Sequence, residues 1–203
     1  MTFDAHHIAL LQTDLTAAWH HHPACATGAD FDRLIGENHL RNFLLWHEED
    51  IARRDDLGPA RVCQAKRAID GYNQQRNNFI EEMDQTLVAA LRPLDDGCPK
   101  NSETPGMIID RLSILALKEY HMREEAERQD ADSAHRAACA AKLERIVRQR
   151  ADLTRSLAEL IREVTAGTRS FAVYYQFKMY NDPALNPQLY RGDAQPSSDS
   201  PVP

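Results

Sequence analysis

Apolar side chains recur every three or four residues along most of this chain, which is the spacing of a helix that buries one face. The clearest example runs from residue 143 to residue 164, where the apolar stripe is interrupted by Arg150. The stripe comprises Leu143, Ile146, Leu153, Leu157, Leu160 and Val164. Because the helical period dominates, the sequence predicts an all-α fold, a bundle of four to five helices.

Prolines, glycines and capping residues divide the helical pattern into separate elements. The predicted helices cover residues 8–19, 30–54, 59–91, 105–127 and a last stretch that follows a linker at 130–135. From Phe171 the helical period stops, and the segment up to residue 190 is rich in aromatic residues and contains two prolines. We therefore expect one domain over residues 1–190, with an extended aromatic C-terminal tail folded back on the bundle, and a disordered tail over residues 191–203.

The charge and cysteine patterns exclude several classes of protein. The chain carries a net charge of -7 with basic residues interleaved among acidic ones, unlike the basic patch that binds nucleic acid. No apolar run approaches the ~20 residues of a membrane span, and the N-terminus lacks a secretory signal. We expect a cytoplasmic protein without a nucleic-acid or membrane partner. The four distant cysteines indicate no zinc knuckle, and the run His20–His22 is not predicted to bind a metal, because adjacent helical side chains diverge.

The predicted second helix carries polar side chains on faces that should be buried. Its outward stripe is already occupied by other charged residues, so His47, Asp50 and Arg53 point toward packing partners. The alternative is an ordinary surface pair of Asp50 with Arg53 or Arg54, which would contribute only about 0.3 kcal/mol.

The predicted third helix adds a second polar stripe beside its apolar face. This stripe comprises Lys66, Asp70, Asn73, Asn77, Glu81 and Asp84. If the turn at residues 55–58 makes the two helices antiparallel, Asp50 lies level with Lys66, and His47 lies level with Asp70. The pattern therefore predicts a polar network between the helices, in which Asp70 contacts a basic group or an imidazole of the second helix.

Arg76 falls within the apolar face of the third helix, beside Tyr72 and Phe79. A buried guanidinium requires an anionic partner, because an unpaired charge in an apolar interior is very costly. The partner is either a protein carboxylate, such as Asp50 or Asp110, or the anion of a bound ligand. We expect the ligand.

The predicted fourth helix is apolar nearly all round, yet it carries Asp110 and His121 on one stripe. Counting from the preceding turn places His121 near Arg76, where it would bind substrate; the alternative is a hydrogen-bonded core histidine. Asp110 falls toward Glu81 and Asp84. Three carboxylates supply the oxygen ligands that Mg²⁺ or Mn²⁺ accepts, so this trio is the predicted metal site.

Four motifs, in this order and at these spacings, resemble those of the bacterial domain-of-unknown-function 4254 family. They are NFLLWHEEDIAR, KRAIDGYNQQRNNFIEEMD, NSETPGMIIDRLSILALKEYHM and FKMYNDPALNP. The resemblance covers residues 30–190 and departs at Asn78, where the family pattern has an aspartate. It implies a small cytoplasmic helical protein without an established activity, and an association with glycosyltransferases of envelope polysaccharides.

Two functions fit these features. In the first, the bundle binds or processes a phosphorylated small molecule, a nucleotide or a nucleotide sugar. Its anion meets Arg53, Lys66 and Arg76, while Asn73, Asn77 and His121 complete the substrate site. In that site His47, with Asp50 or Asp70, carries out acid–base catalysis, and a divalent ion assists.

In the second, the protein is a non-catalytic accessory or interaction protein that docks a protein partner or a second copy of the chain. The aromatic tail distinguishes the two hypotheses. The ligand hypothesis predicts that the tail packs as a lid over Arg76, whereas the accessory hypothesis predicts an exposed aromatic patch.

Overall fold

The computed structural model describes residues 3–26, 28–94, 96–177, 179 and 182–190. It contains five long helices and a final single turn of helix. These are α1 (Ala5–Trp19), α2 (Asp30–Ile51), α3 (Pro59–Leu91), α4 (Pro105–Glu127), α5 (Ser133–Thr165) and α6 (Pro187–Tyr190). The predicted all-α bundle is confirmed: in the ranges just given no strand occurs, and one isolated bridge joins Lys100 to Ser170.

Short polar side chains cap several helices at their first turns. The Thr104 hydroxyl accepts a hydrogen bond from the Met107 amide at 3.2 Å, and Pro105 occupies the first turn of α4. The Asp132 carboxylate similarly accepts from the His135 amide at 2.7 Å. α2 ends at Ile51, three residues earlier than predicted, because the chain tightens into 3₁₀ hydrogen bonds there.

The bundle consists of two helical hairpins, α2 with α3 and α4 with α5, and α1 packs against α2, α4 and α5. Each of the four hairpin helices supplies a completely buried side chain to the main core: Ile35, Met83, Leu112 and Leu157. Arg150, the polar interruption of the α5 stripe, is also buried. Its guanidinium donates to the Ala9 carbonyl of α1 and lies 3.1 Å from a Glu119 carboxylate oxygen of α4.

The start of α4 is held against α3 by one buried carboxylate. Asp84 accepts hydrogen bonds from the Thr104 hydroxyl and, at 2.7 Å, from the Gly106 amide. A Cβ atom at Gly106 would lie 2.6 Å from the Ile80 carbonyl oxygen, so this close approach requires glycine. Burial raises the pKa of Asp84 to about 6. These contacts set the register between α3 and α4.

The segment after α5 is anchored at Ser170, whose amide donates to the Pro99 carbonyl at 3.0 Å, and Phe171 is buried. Beyond it the side chains of Tyr174, Tyr175 and Phe177 are exposed. The predicted lid over Arg76 is therefore absent from the described part of the tail. Tyr180 and the predicted disordered residues 191–203 lie outside the described residues.

None of the helices that the structure describes combines the length and the apolar character needed to cross a membrane.

Candidate functional site

A buried polar network joins α2, α3 and α4 around Asp110. One carboxylate oxygen of Asp110 accepts hydrogen bonds from the side-chain amides of Asn38 at 3.1 Å and Asn42 at 3.0 Å. Arg76 Nε lies 3.0 Å from the same oxygen, in ion-pair contact without the alignment of a hydrogen bond. Asp110 is buried, so these amides and the guanidinium together stabilise its charge.

The network continues to α1 through His39. The Thr16 hydroxyl donates to the Gln12 carbonyl at 2.8 Å, so its oxygen accepts from His39 Nε2, which lies 2.9 Å away. His39 Nδ1 is then the acceptor for the Ser113 hydroxyl at 2.7 Å. Burial, with a smaller effect of the Arg150 charge, lowers the pKa of His39 to about 3. The imidazole is therefore neutral, and both of its nitrogens are engaged.

Arg76 pairs with a protein carboxylate, which is the alternative to the expected ligand anion. The guanidinium pairs with Asp110, and Arg76 Nη1 also donates to the Asn73 side chain at 3.2 Å. The close approach of α4 at Gly106 makes Asp110, and not His121, level with Arg76. Sequence counting missed this register because it depends on a contact between distant residues.

The predicted contact of Asp70 with the second helix is wrong. Asp70 is exposed, and it has no hydrogen bond or ion pair within the described segments. The α2–α3 hairpin is antiparallel, as expected, with Arg61 3.2 Å from Glu48. However, the His47 ring packs on Phe43 and against His20 and His121, so it faces α1 and α4 and not Asp70.

The remaining substrate-binding candidates, in α3 and just after α2, are not gathered at one site. Arg53 forms an exposed ion pair with Glu49 at 2.7 Å. This resembles the surface pair given above as the alternative, but the carboxylate belongs to Glu49 and not to Asp50. Lys66 is exposed, and Asn77 is half-buried. Asp50 is exposed, near enough to His47 for its charge to act on that ring.

The predicted trio of metal-binding carboxylates does not assemble among the described residues. Glu81 accepts a hydrogen bond from the Gln176 amide at 2.9 Å. Asp84 holds the first turn of α4, and Asp110 pairs with Arg76. The trio fails because Asp110 lies at the level of Arg76, two helical turns from Asp84 along α3.

The described residues contain one group with the geometry of a metal site, formed by three half-buried histidines. We call His20, His47 and His121 the histidine cluster. His20 directly follows α1, His47 lies in α2, and His121 lies in α4. One ring nitrogen of each lies within 4.8 Å of those of the other two.

Two of the rings are held in the orientation of metal ligands. His20 Nδ1 donates to the Thr16 carbonyl at 2.8 Å, and His121 Nδ1 donates to the Glu124 carboxylate at 2.9 Å. The Nε2 atoms of both rings are buried and have no hydrogen-bond partner among the residues that the structure describes. Metal-bound histidines usually donate their second ring nitrogen to a carbonyl or carboxylate in this way, which leaves the other lone pair for the metal.

Aromatic side chains form the walls of the histidine cluster. Tyr120 stacks on His20 with ring centroids 4.0 Å apart, and Trp46 stacks on His121 at 4.9 Å. The pKa of His47 is lowered by burial and by the neighbouring His20 and His121, with Asp50 opposing the shift. A neutral imidazole is the form that binds a metal, so these surroundings favour binding.

Comparison with families of proteins matches residues 32–173 to the family described as "Protein of unknown function (DUF4254)". The chain belongs to this family. Comparison with curated proteins and with solved structures gives no match. In this DUF4254 protein, His47 and His121 lie within the matched region, whereas His20 precedes it.

His47 and His121 were each predicted from the sequence, but the cluster that unites them was not. The run His20–His22 was not expected to bind a metal, because adjacent helical side chains diverge. In the structure the run follows α1, and His20 alone joins the cluster while His21 and His22 are exposed. The sequence feature that could have indicated His20 is its position at the end of a helix, one turn after Thr16.

Proposed function

We propose that this protein binds a divalent transition-metal ion through His20, His47 and His121. The observation that carries the proposal is the pair of buried Nε2 atoms, on His20 and His121, that find no hydrogen-bond partner in the described part of the chain. A buried imidazole nitrogen without a partner costs free energy, and a bound cation would remove that cost.

The donor atoms favour ions of the zinc class. Imidazole nitrogen suits Zn²⁺, Cu²⁺, Ni²⁺ and Fe²⁺, whereas Mg²⁺ and Mn²⁺ prefer oxygen ligands. Zinc–nitrogen bonds of about 2.0–2.1 Å would place two ligand nitrogens about 3.4 Å apart around a tetrahedral ion. The ring nitrogens lie within 4.8 Å of one another, so small side-chain adjustments would complete the geometry.

The test is a zinc titration of metal-free protein in competition with a chromophoric chelator. The wild type should bind one ion per chain. His47→Ala and His121→Ala should weaken binding by more than the ~10–100-fold typical of losing an outer-shell partner. His22→Ala is the matched control, because this exposed histidine lies two residues from His20.

Circular dichroism should show the same helix content in all four proteins, so that lost binding does not reflect unfolding. The proposal fails if the wild type shows no saturable binding of one ion, or if His22→Ala weakens binding as much as His47→Ala does.

Binding or processing of a phosphorylated small molecule has less support at the positions expected from the sequence. Arg76 is engaged by Asp110, and Arg53 is engaged by Glu49. A phosphorylated ligand would therefore need another anchor in the bundle.

A second candidate function, that of an accessory or interaction protein, is supported by the exposed side chains of Tyr174, Tyr175 and Phe177. Adjacent exposed aromatic residues are typical of a docking surface. Light scattering of the wild type and of Phe177→Ser across a range of concentrations tests self-association through this segment. A dimer that Phe177→Ser abolishes would support this function, and a monomer at all concentrations would oppose docking of a second copy.

A further inference from the structure

We infer that the metal ion at the histidine cluster keeps one coordination position open to an exogenous phosphate-type oxyanion. This inference rests on the proposed function, since it concerns the same site. It adds the chemical class of the ligand and gives the expected phosphorylated molecule an anchor other than Arg76.

The first reason is the number of protein ligands. The cluster has three members, and within the described residues no carboxylate, thiol or fourth imidazole lies close enough to join it. A zinc-class ion prefers at least four ligands, and sites with three protein ligands usually hold water or substrate in the remaining position.

The second reason is that the nearest carboxylates are not placed to fill the remaining coordination position. The Glu124 carboxylate accepts a hydrogen bond from His121 Nδ1 at 2.9 Å, so it contacts the ring nitrogen that would not bind the ion. Asp50 follows His47 by about one helical turn and is exposed, so it stands at the solvent side of the cluster.

The third reason is charge and access. Three neutral imidazoles leave the charge of a divalent ion uncompensated, so an anion in the remaining position is electrostatically favoured. The His121 side chain is 23% exposed, and His20 and His47 are also half-buried, which places the cluster at the edge of the bundle. A small oxyanion can therefore reach the ion from solvent.

The experiment uses cobalt(II) as a spectroscopic substitute for zinc, because its visible absorption reports the number and type of its ligands. One equivalent is added to the wild type, to Asp50→Asn and to His121→Ala, and each protein is then titrated with inorganic phosphate and, separately, with adenosine monophosphate. We expect phosphate to change the wild-type spectrum saturably. Asp50→Asn should show the wild-type spectrum before phosphate is added and the same change afterwards.

Each outcome has one meaning. A change with both anions assigns the position to the phosphate group of a small molecule, and a change with inorganic phosphate alone assigns it to the free ion. The inference is overturned if cobalt binds but neither anion changes the spectrum, or if Asp50→Asn alters the spectrum before any anion is added, because Asp50 would then fill the position. Absence of cobalt binding by the wild type, with a spectrum like that of His121→Ala, would instead refute the proposed function.

Discussion

His39 and the histidine cluster contain the same side chain in the same bundle, yet they differ in how their ring nitrogens are used. His39 engages both nitrogens, with Thr16 on one side and Ser113 on the other. His20 and His121 each engage Nδ1, and within the described residues their buried Nε2 atoms have no partner. Burial alone therefore does not determine how an imidazole is used, because these histidines differ in whether both ring nitrogens are engaged.

The largest effect should come from breaking the closed network at Arg76. Arg76→Met removes the cation beside the buried Asp110, and the unpaired charge should lower the free energy of unfolding by about 3 kcal/mol. Urea denaturation of the metal-free protein measures this change.

Arg53→Met is the matched control. Arg53 forms an ion pair with Glu49 on the surface, so its loss should change the free energy of unfolding by less than ~1 kcal/mol. Equal effects of the two substitutions would show that the Asp110 network contributes no more than a surface pair.

Acid should distinguish His39 from histidines that can accept a proton. The folded-state pKa of His39 is about 3, below its ordinary 6.5, so the unfolded chain binds the proton first as pH falls. The contribution of His39 to the free energy of unfolding is fully present above pH 6.5 and is lost as the pH falls toward 3. Between pH 7 and pH 5, linkage predicts a loss of about 2 kcal/mol from this residue.

Urea denaturation of metal-free wild type and His39→Gln at several pH values isolates this contribution. The variant should be less stable at pH 7 and should lose less stability on acidification. Parallel pH profiles for the two proteins would mean that His39 does not remain neutral in the fold.

The smallest effect should come from the outer shell of the histidine cluster. Glu124→Gln keeps an oxygen that can accept from His121 Nδ1 but removes the charge, so zinc affinity should fall about tenfold. Competition with a chelator measures the fall, and Glu127→Gln, an exposed glutamate of the same helix, is the control. If the two variants bind zinc equally, Glu124 does not position the ligand.

Local signals made the helices predictable. Pro59 and the pair Thr104–Pro105 mark the starts of α3 and α4, because prolines and capping hydroxyls act on the residues next to them. The register between α3 and α4 was not predictable in this way. It depends on the contact of Gly106 with Ile80 and Asp84, which counting turns along one helix cannot predict.

The candidate site was predictable only in part for the same reason. His47 and His121 were identified as polar residues on largely apolar helices, but His47 was assigned to the wrong face of α2 and His121 to the wrong level along α3. His20 directly follows α1, so the cluster draws its side chains from three helices. A three-helix site becomes visible only once the packing is known.

The hydrogen bond from Arg150 to the Ala9 carbonyl spans 141 residues of sequence. During synthesis the chain emerges from its N-terminus at about 5–20 residues per second, so α1 waits roughly 7–28 s before its α5 partner has been translated. His20 and His47 are likewise made before His121. A chain that stops before α4 therefore lacks one of the three histidines of the cluster, and one that stops before residue 150 leaves α1 without its hydrogen bond to the buried Arg150.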